Sequence, residues 1–268
     1  MLAVSIVASL TVIACGSSPA APTPSATTST TTTPTPTPAP PSPAPATTAP
    51  DGTLLLEGLP VDLSQLNYSD IVARREGRDP EWLPLDDFGR LLPVSSARPV
   101  SMPNPQPTFY APLGTPVYAV VSGVVSQIPT LYSRDYSVMI SSGERGGVWE
   151  HEHIMNVTVR VGDRVTAGQR IGEVSDYECT WSRNSLASDP LCQSRLGLVE
   201  IGLLYGGAAP QHRCPFEAEL IAPSKKDGIF AQLDSARSRI KAAFGDAGKY
   251  QESTWATPQC ISLSRVEG

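Results

Sequence analysis

Ala111-Pro-Leu-Gly-Thr-Pro-Val-Tyr-Ala119, Gly123-Val-Val125, Val157-Thr-Val-Arg-Val161, Gly162-Asp-Arg-Val165 and Gly168-Gln-Arg-Ile-Gly172 are short β-branched runs punctuated by glycine. Such runs, bounded by turn residues, predict strands rather than helices. The strands are expected over 117–125, 136–140, 148–154, 157–161, 170–174 and 196–204. Val157 to Val161 alternates strictly, which predicts one buried and one wet face. Gly162-Asp163 and Gly168 are expected to take the positive-φ turns between strands, and Gly123 to permit a close backbone approach. The reading is a mainly β protein with a compact antiparallel sandwich or barrel-like core over residues 107–210.

Outward from that core the pattern changes on both sides. Residues 51–106 are irregular, with one short helix expected over 69–76, capped by Ser69 and stopped at Gly77. This is a wrapping segment. In residues 211–268, Ile229, Phe230, Leu233, Ala236, Ile240, Ala243 and Phe244 fall on one helical stripe, and Gly245 supplies a stop. The helix is expected to pack on the β core, with Trp255 and Cys260 folding back over it.

The N-terminal fifth of the 268-residue chain is of another kind. Residues 1–15, MLAVSIVASLTVIAC, hold an apolar run from Leu2 to Ala14, too short to cross a ~30 Å hydrocarbon core as a helix. It reads as a signal segment. Its ending, Val12-Ile13-Ala14-Cys15, resembles a lipobox, which implies lipidation of Cys15 and a location in the cell envelope, anchored by lipid on the extracytoplasmic face. No Lys or Arg precedes the run, which points to a true start elsewhere. Gly16 and Ser17 lack the aspartate associated with inner-membrane retention. Residues 16–50 contain only Gly, Ser, Thr, Ala and Pro. Such a segment cannot bury enough apolar surface to offset its ordering entropy, and its prolines favour an extended spacer of roughly 100 Å at ~3.1 Å per residue. With a net charge of −6 the chain offers no basic patch for phosphates, so nucleic acid is not an expected partner.

Four cysteines lie past the anchor, where an oxidising compartment favours disulfides. Three pairings are possible. Cys179 with Cys192 and Cys214 with Cys260 are preferred because each closes a loop between sequence neighbours. A zinc site made of the four is the rival, without a C-x-x-C pair to support it.

The Ala-Pro-x-Gly-Thr-Pro-Val run from Ala111 to Val117, Gly123-Val-Val125, Val161-Gly-Asp-Arg-Val165 and Gly168-Gln-Arg-Ile-Gly172 together are similar to lysostaphin-type (LytM-type) zinc endopeptidases of peptidoglycan, over roughly residues 104–204. Biotinyl and lipoyl carrier domains share part of the pattern, but the lysine they display at a hairpin tip is absent. The resemblance implies three metal ligands: a histidine at position 104, an aspartate at 108 and the second histidine of a His-x-His pair. This chain has Asn104 and Thr108, and Leu196-Gly-Leu-Val-Glu-Ile201 stands where the family has His-Leu-His-Phe-Glu-Ile. Leucine offers zinc no lone pair, so the usual site is expected to be lost.

Glu150-His-Glu-His153 survives. The resemblance places His153 where the family keeps a histidine that assists the metal-bound water, and His151 where it keeps a tyrosine. Strand alternation predicts that His151 and His153 share a face, with Glu150 and Glu152 on the other. His212 is expected to be a loop residue beside the disulfide. Asn67-Tyr-Ser and Asn156-Val-Thr match glycosylation acceptors, which a bacterial lipoprotein does not use.

Two functions from different classes follow. The first is a lipid-anchored, non-catalytic, peptidase-like module without a cofactor. It binds peptidoglycan or a cell-wall enzyme through a groove lined by Asn104, Thr108, His151, His153 and Glu200, in which His153 is vestigial. The second is a divergent zinc metallopeptidase acting on peptidoglycan cross-links, with His151, His153 and Glu200 as metal ligands.

Overall fold

Glycine-punctuated β-branched runs give strands β1 (Leu85–Asp86), β2 (Leu91–Leu92), β3 (Met102–Pro103), β4 (Thr108–Pro112), β5 (Pro116–Tyr118), β6 (Gly123–Gln127), β7 (Tyr136–Ser141), β8 (Val148–Met155), β9 (Arg164–Val165), β10 (Arg170–Val174), β11 (Leu196–Tyr205), β12 (Gln211–Arg213) and β13 (Val266–Glu267) in a computed structural model. The structure describes residues 46–75, 82–92, 100–143, 146–177, 179, 190–206, 210–245, 259–261 and 266–267. The expected signal segment with Cys15, residues 16–45 of the expected spacer, and Trp255 lie outside the described residues.

One antiparallel sheet carries the order β1-β4-β11-β8-β7-β6-β9, with β10 pairing β5 and β8, and β12 pairing β11 and β13. β2 and β3 form a separate two-stranded sheet. Helices α1 (Tyr68–Arg75), α2 (Pro190–Ser194) and α3 (Lys226–Phe244) complete the described elements, with short 3-10 turns at Leu63–Gln65 and Ala218–Leu220. The expected antiparallel β core with a C-terminal helix is therefore present.

Burial of Phe109, Val117, Val125, Ile140, Trp149, Ile171 and Leu203 forms the core of the sheet. The stripe of α3 buries Ile229, Leu233, Ala236 and Ile240, and the helix ends at Gly245 with φ +66°. That left-handed residue closes a helix without the Cβ strain another side chain would add. Gly162 and Gly168 take φ +92° and +82° at their turns. At Gly123 a Cβ would stand 2.6 Å from Leu54 Cδ1 and 2.8 Å from the Ser141 carbonyl oxygen, so a side chain there would push the wrap off the sheet.

Residues 46–56 belong to this fold rather than to a spacer. Thr48 bridges Leu54, Leu56 bridges Ile221, and the Trp149 indole donates to the Leu54 carbonyl at 2.9 Å. The Gly147 N–H donates to Thr53 Oγ1 at 2.9 Å. The expected spacer boundary at residue 50 therefore moves back.

Three further expectations are corrected. α1 begins at Tyr68, and it is the Asn67 side chain that accepts from the Asp70 N–H; Ser69 lies inside the helix. The run from Val117 to Val125 is two strands, β5 and β6, separated by Ala119–Ser122. Val157 to Val161 forms no strand: Asn156 takes φ +49° and ends the extended path of β8. Val159 stays buried while Val161 is 61% exposed, so the alternation in the sequence has no sheet to serve.

Both preferred disulfides are formed, Cys179 to Cys192 and Cys214 to Cys260, which removes the rival four-cysteine zinc site. Cys260 also bridges Phe88, tying the C-terminal tail beside β1.

Candidate functional site

The site begins with a fault in β8. Its register against β7 pairs Val138 with His151 and Tyr136 with Ile154, so Glu152 and His153 together stand opposite one residue of the partner strand. This is a β-bulge, and His153 takes φ +60° within it. A left-handed conformation is uncommon outside glycine and costs on the order of 1–3 kcal/mol.

The bulge separates the two histidines that alternation placed together. His151 Nε2 accepts the Val120 N–H at 3.0 Å, and its Nδ1 lies 3.1 Å from the Val138 carbonyl. The ring is fully buried. Since Val120 N–H can only donate, the proton of the neutral ring sits on Nδ1. Burial pushes the His151 pKa down to about 4, against the Val138 hydrogen bond. His151 is a core residue rather than a lining of the groove, and it stands apart from the cluster that could hold a metal ion.

His153 turns instead toward Glu152 and Glu200, whose ligand atoms lie with its own within 4.8 Å of one another. Its Nδ1 is 2.9 Å from Asp135 Oδ2, and the Ser133 and Ser175 hydroxyls both donate to Asp135. Its Nε2 is 3.6 Å from Glu200 Oε2, and Glu200 Oε1 accepts from the Thr108 hydroxyl at 2.9 Å. The strands enforce this meeting, because Glu200 on β11 is registered with Glu152 on β8 and with Thr108 on β4. Ser175 reaches Asp135 because the end of β10 lies directly on β11: a Cβ on Gly197 would fall 1.8 Å from the Ser175 carbonyl oxygen.

Charge follows geometry. Burial alone would lower the His153 pKa, but the carboxylates of Asp135 and Glu200 override it and hold it up at about 10. Burial likewise works to raise Asp135, yet His153 and the two serines keep it below the ordinary carboxylate range. Glu152, crowded by burial and by Glu150 and Glu200, is pushed up to about 8. The Tyr177 ring packs 4.1 Å from the His153 ring, and Tyr177 and Tyr132 hydroxyls bond to each other at 3.1 Å. Tyr132 is 65% exposed and forms the open edge.

Beside this network Glu150 Oε2 meets His212 Nε2 at 2.9 Å. His212 is therefore a buried residue of β12, not the loop residue expected from its neighbours. Asn104 is buried elsewhere: its amide donates weakly to the Asp87 carbonyl at 3.4 Å and accepts from Gln106 N–H at 3.3 Å. Of the expected groove residues, the structure thus brings together Thr108, His153 and Glu200, and it leaves out Asn104 and His151.

The positions that the resemblance assigns to zinc do not fit the ion. Leu198 is buried and has no donor atom, the Thr108 hydroxyl is engaged by Glu200 and the Gln106 carbonyl, and the Asn104 amide is held by backbone. Asp135, Ser133, Ser175, Glu152 and Tyr177 were missed. Ser133-Arg-Asp135 ahead of a strand is a weak signal of an ordered turn; Ser175 lies 40 residues from Asp135, and nothing in the sequence links them.

The model of Peptidase family M23 matches residues 107–186, ending before β11. No curated protein matches the chain. Among solved structures, the chain is similar to the catalytic domain of the prophage-encoded M23 protein EnpA from Enterococcus faecalis, with 22% identity and TM-score 0.35 over 51% of this chain and 93% of that one. It is similar to the catalytic domain of lysostaphin from Staphylococcus simulans, with 18% identity and TM-score 0.32 over 50% and 80%. A zinc-containing peptidase from Vibrio cholerae gives 15% identity and TM-score 0.36 over 59% and 42%.

Proposed function

We propose that this chain, whose residues 107–186 match the model of Peptidase family M23, is an extracytoplasmic, lipid-anchored module that binds peptidoglycan or an envelope partner without hydrolysing it. One observation supports the reading: Leu198, which the motif resemblance aligns with a metal ligand, is a buried side chain without a donor atom, and the Thr108 hydroxyl is already bonded to Glu200. Hydrolysis in lysostaphin-type enzymes depends on three donors around zinc and a histidine free to serve the bound water. Here His153 has Nδ1 held by Asp135 and Nε2 facing a carboxylate, so it holds a proton tightly rather than exchanging one near neutrality. What remains is a largely buried polar cluster with the Tyr132 and Tyr177 rings at its edge, where the exposed Tyr132 would meet a ligand.

The test combines two measurements on the purified chain. It is expected to sediment with purified cell walls, or to retain an envelope protein in cross-linking, while releasing no soluble peptide from those walls. Release of new amino termini above a heat-inactivated control overturns the non-hydrolytic reading. A chain that stays in the supernatant and captures no envelope protein overturns the binding reading.

A further inference from the structure

We propose that the Cys179–Cys192 disulfide is a thiol-responsive clasp on the site: closed, it holds Tyr177 against His153, and a dithiol that opens it releases Tyr177 and weakens ligand binding while the core stays folded. The inference rests on the binding reading above and names how that same site would be regulated.

Tyr177 stands just past the end of a strand. β10 stops at Val174, and Ser175 is still held by the sheet, its N–H donating to the His153 carbonyl at 3.0 Å and its backbone bridging Leu198. Two residues on, the Tyr177 ring packs 4.1 Å from the His153 ring, and its hydroxyl meets that of Tyr132 at 3.1 Å. Two residues further, the Cys179 N–H closes a turn on the Asp176 carbonyl at 2.9 Å, and the Cys179 sulfur is bonded to Cys192.

Cys192 is the fixed end of the clasp. It lies in α2, whose Ser194 carbonyl accepts from Arg74 of α1 at 3.1 Å. Just before β11 begins, the Arg195 carbonyl accepts from the Leu113 N–H at 3.0 Å. A covalent bond from this anchored helix to Cys179 removes conformations from the turn that carries Tyr177. Once the bond is open, the packing of Tyr177 on His153 has to offset the ordering entropy of that turn without its help.

The two disulfides differ in what a thiolate can reach. Cys214 and Cys260 are fully buried, and they join the end of β12 to the tail beside Phe88. Cys179 and Cys192 are both partly exposed and only 13 residues apart, so solvent reaches their bond and its opening loosens a local turn rather than the core. One thiolate of the dithiol attacks one of the two sulfurs, which breaks the S–S bond and forms a mixed disulfide. The second thiolate of the dithiol then displaces that sulfur. The dithiol leaves as a disulfide, having given up two electrons, and its two protons end on the Cys179 and Cys192 thiols.

Treatment of the full chain with dithiothreitol in the absence of denaturant, followed by alkylation and peptide mass analysis, tests the clasp. The expected result is alkylation of Cys179 and Cys192 with Cys214–Cys260 intact. NMR then reads the site: the His153 ring protons are expected to shift on reduction as the Tyr177 ring moves away, while the indole resonance of Trp149 in the core stays in place. Sedimentation with purified cell walls is expected to weaken about tenfold, the scale of losing one aromatic contact. Cys179→Ser with Cys192→Ser is expected to reproduce the reduced state and to ignore dithiothreitol, and Tyr177→Leu is expected to bind weakly in both redox states. Opening of both disulfides or of neither, unmoved His153 signals, or undiminished wall binding by the reduced chain overturns the inference. Loss of the Trp149 resonance on reduction also overturns it, because the bond is then a staple of the whole fold. The two readings fail separately: a chain that binds walls in neither redox state and captures no envelope protein removes the binding function, and the shift of His153 still decides the clasp.

Discussion

Replacing His151 by glutamine separates a core role from a groove role, because the two make opposite statements about pH. In the folded chain the ring is neutral, with Nε2 accepting from Val120 N–H and burial holding its pKa at about 4 against an ordinary 6.5. A base whose pKa is depressed on folding contributes stability above its unfolded pKa and loses it as pH falls through the window toward the folded value. At 1.36 kcal/mol per pKa unit, the loss between pH 7 and pH 4.5 is about 2–3 kcal/mol. Glutamine can place an oxygen near the position of Nε2 and does not titrate, so its cost at pH 7 is about 1–2 kcal/mol for imperfect packing and hydrogen bonding. The two stability curves are therefore expected to cross between pH 7 and 4.5. Denaturant unfolding of both proteins across that range measures the difference. Other groups drop out of it: His153, held at about 10, is charged in both states below 6.5, and Glu152, at about 8, contributes equally to the two proteins. A difference that stays constant with pH, or a loss of cell-wall sedimentation without loss of stability, refutes the argument.

Opening the Cys214–Cys260 bridge by double serine substitution frees a 46-residue loop and is expected to cost about 4 kcal/mol, against about 3 kcal/mol for the 13-residue Cys179–Cys192 loop, measured by chemical unfolding. Gly197→Ala drives a methyl into the Ser175 carbonyl; a loss of about 3 kcal/mol is expected, and an unchanged melting temperature contradicts the close contact. Trp149→Phe leaves the buried Leu54 carbonyl without its donor, for about 2 kcal/mol, and hydrogen exchange is expected to rise first at Leu55 and Leu56. Uniform protection in that variant would show that the N-terminal wrap does not depend on the indole.

What could be read from the sequence was local. Glycines at Gly162 and Gly168 and the helical stripe from Ile229 to Phe244 rest on neighbours in the chain, the two disulfides join each cysteine to the next cysteine along it, and each is found in the structure. The site fared differently because it is built from a departure. Alternation assigns His151 and His153 to one face, and a single extra residue in β8 sends them to different ones. No composition signal marks that bulge, since neither Gly nor Pro stands in it. Glu200 could be placed near the groove from the β11 resemblance, whereas Asp135 and Ser175 became visible only once β10 was laid against β11. His212 departs from the loop expected of its neighbours for a related reason: its partner Glu150 is 62 residues away.

The pairing of residues 47–56 bears on how the core is sealed. Thr48 with Leu54, Thr53 with Gly147, Leu54 with Trp149 and Leu56 with Ile221 and Leu220 are successive attachments along one strap. The inner ones adjoin Trp149, at the head of the strand that carries His153. Detaching this strap would therefore uncover Trp149 on β8 and Ile221 ahead of the C-terminal helix together, so that the wrap closes both sides of the core at once.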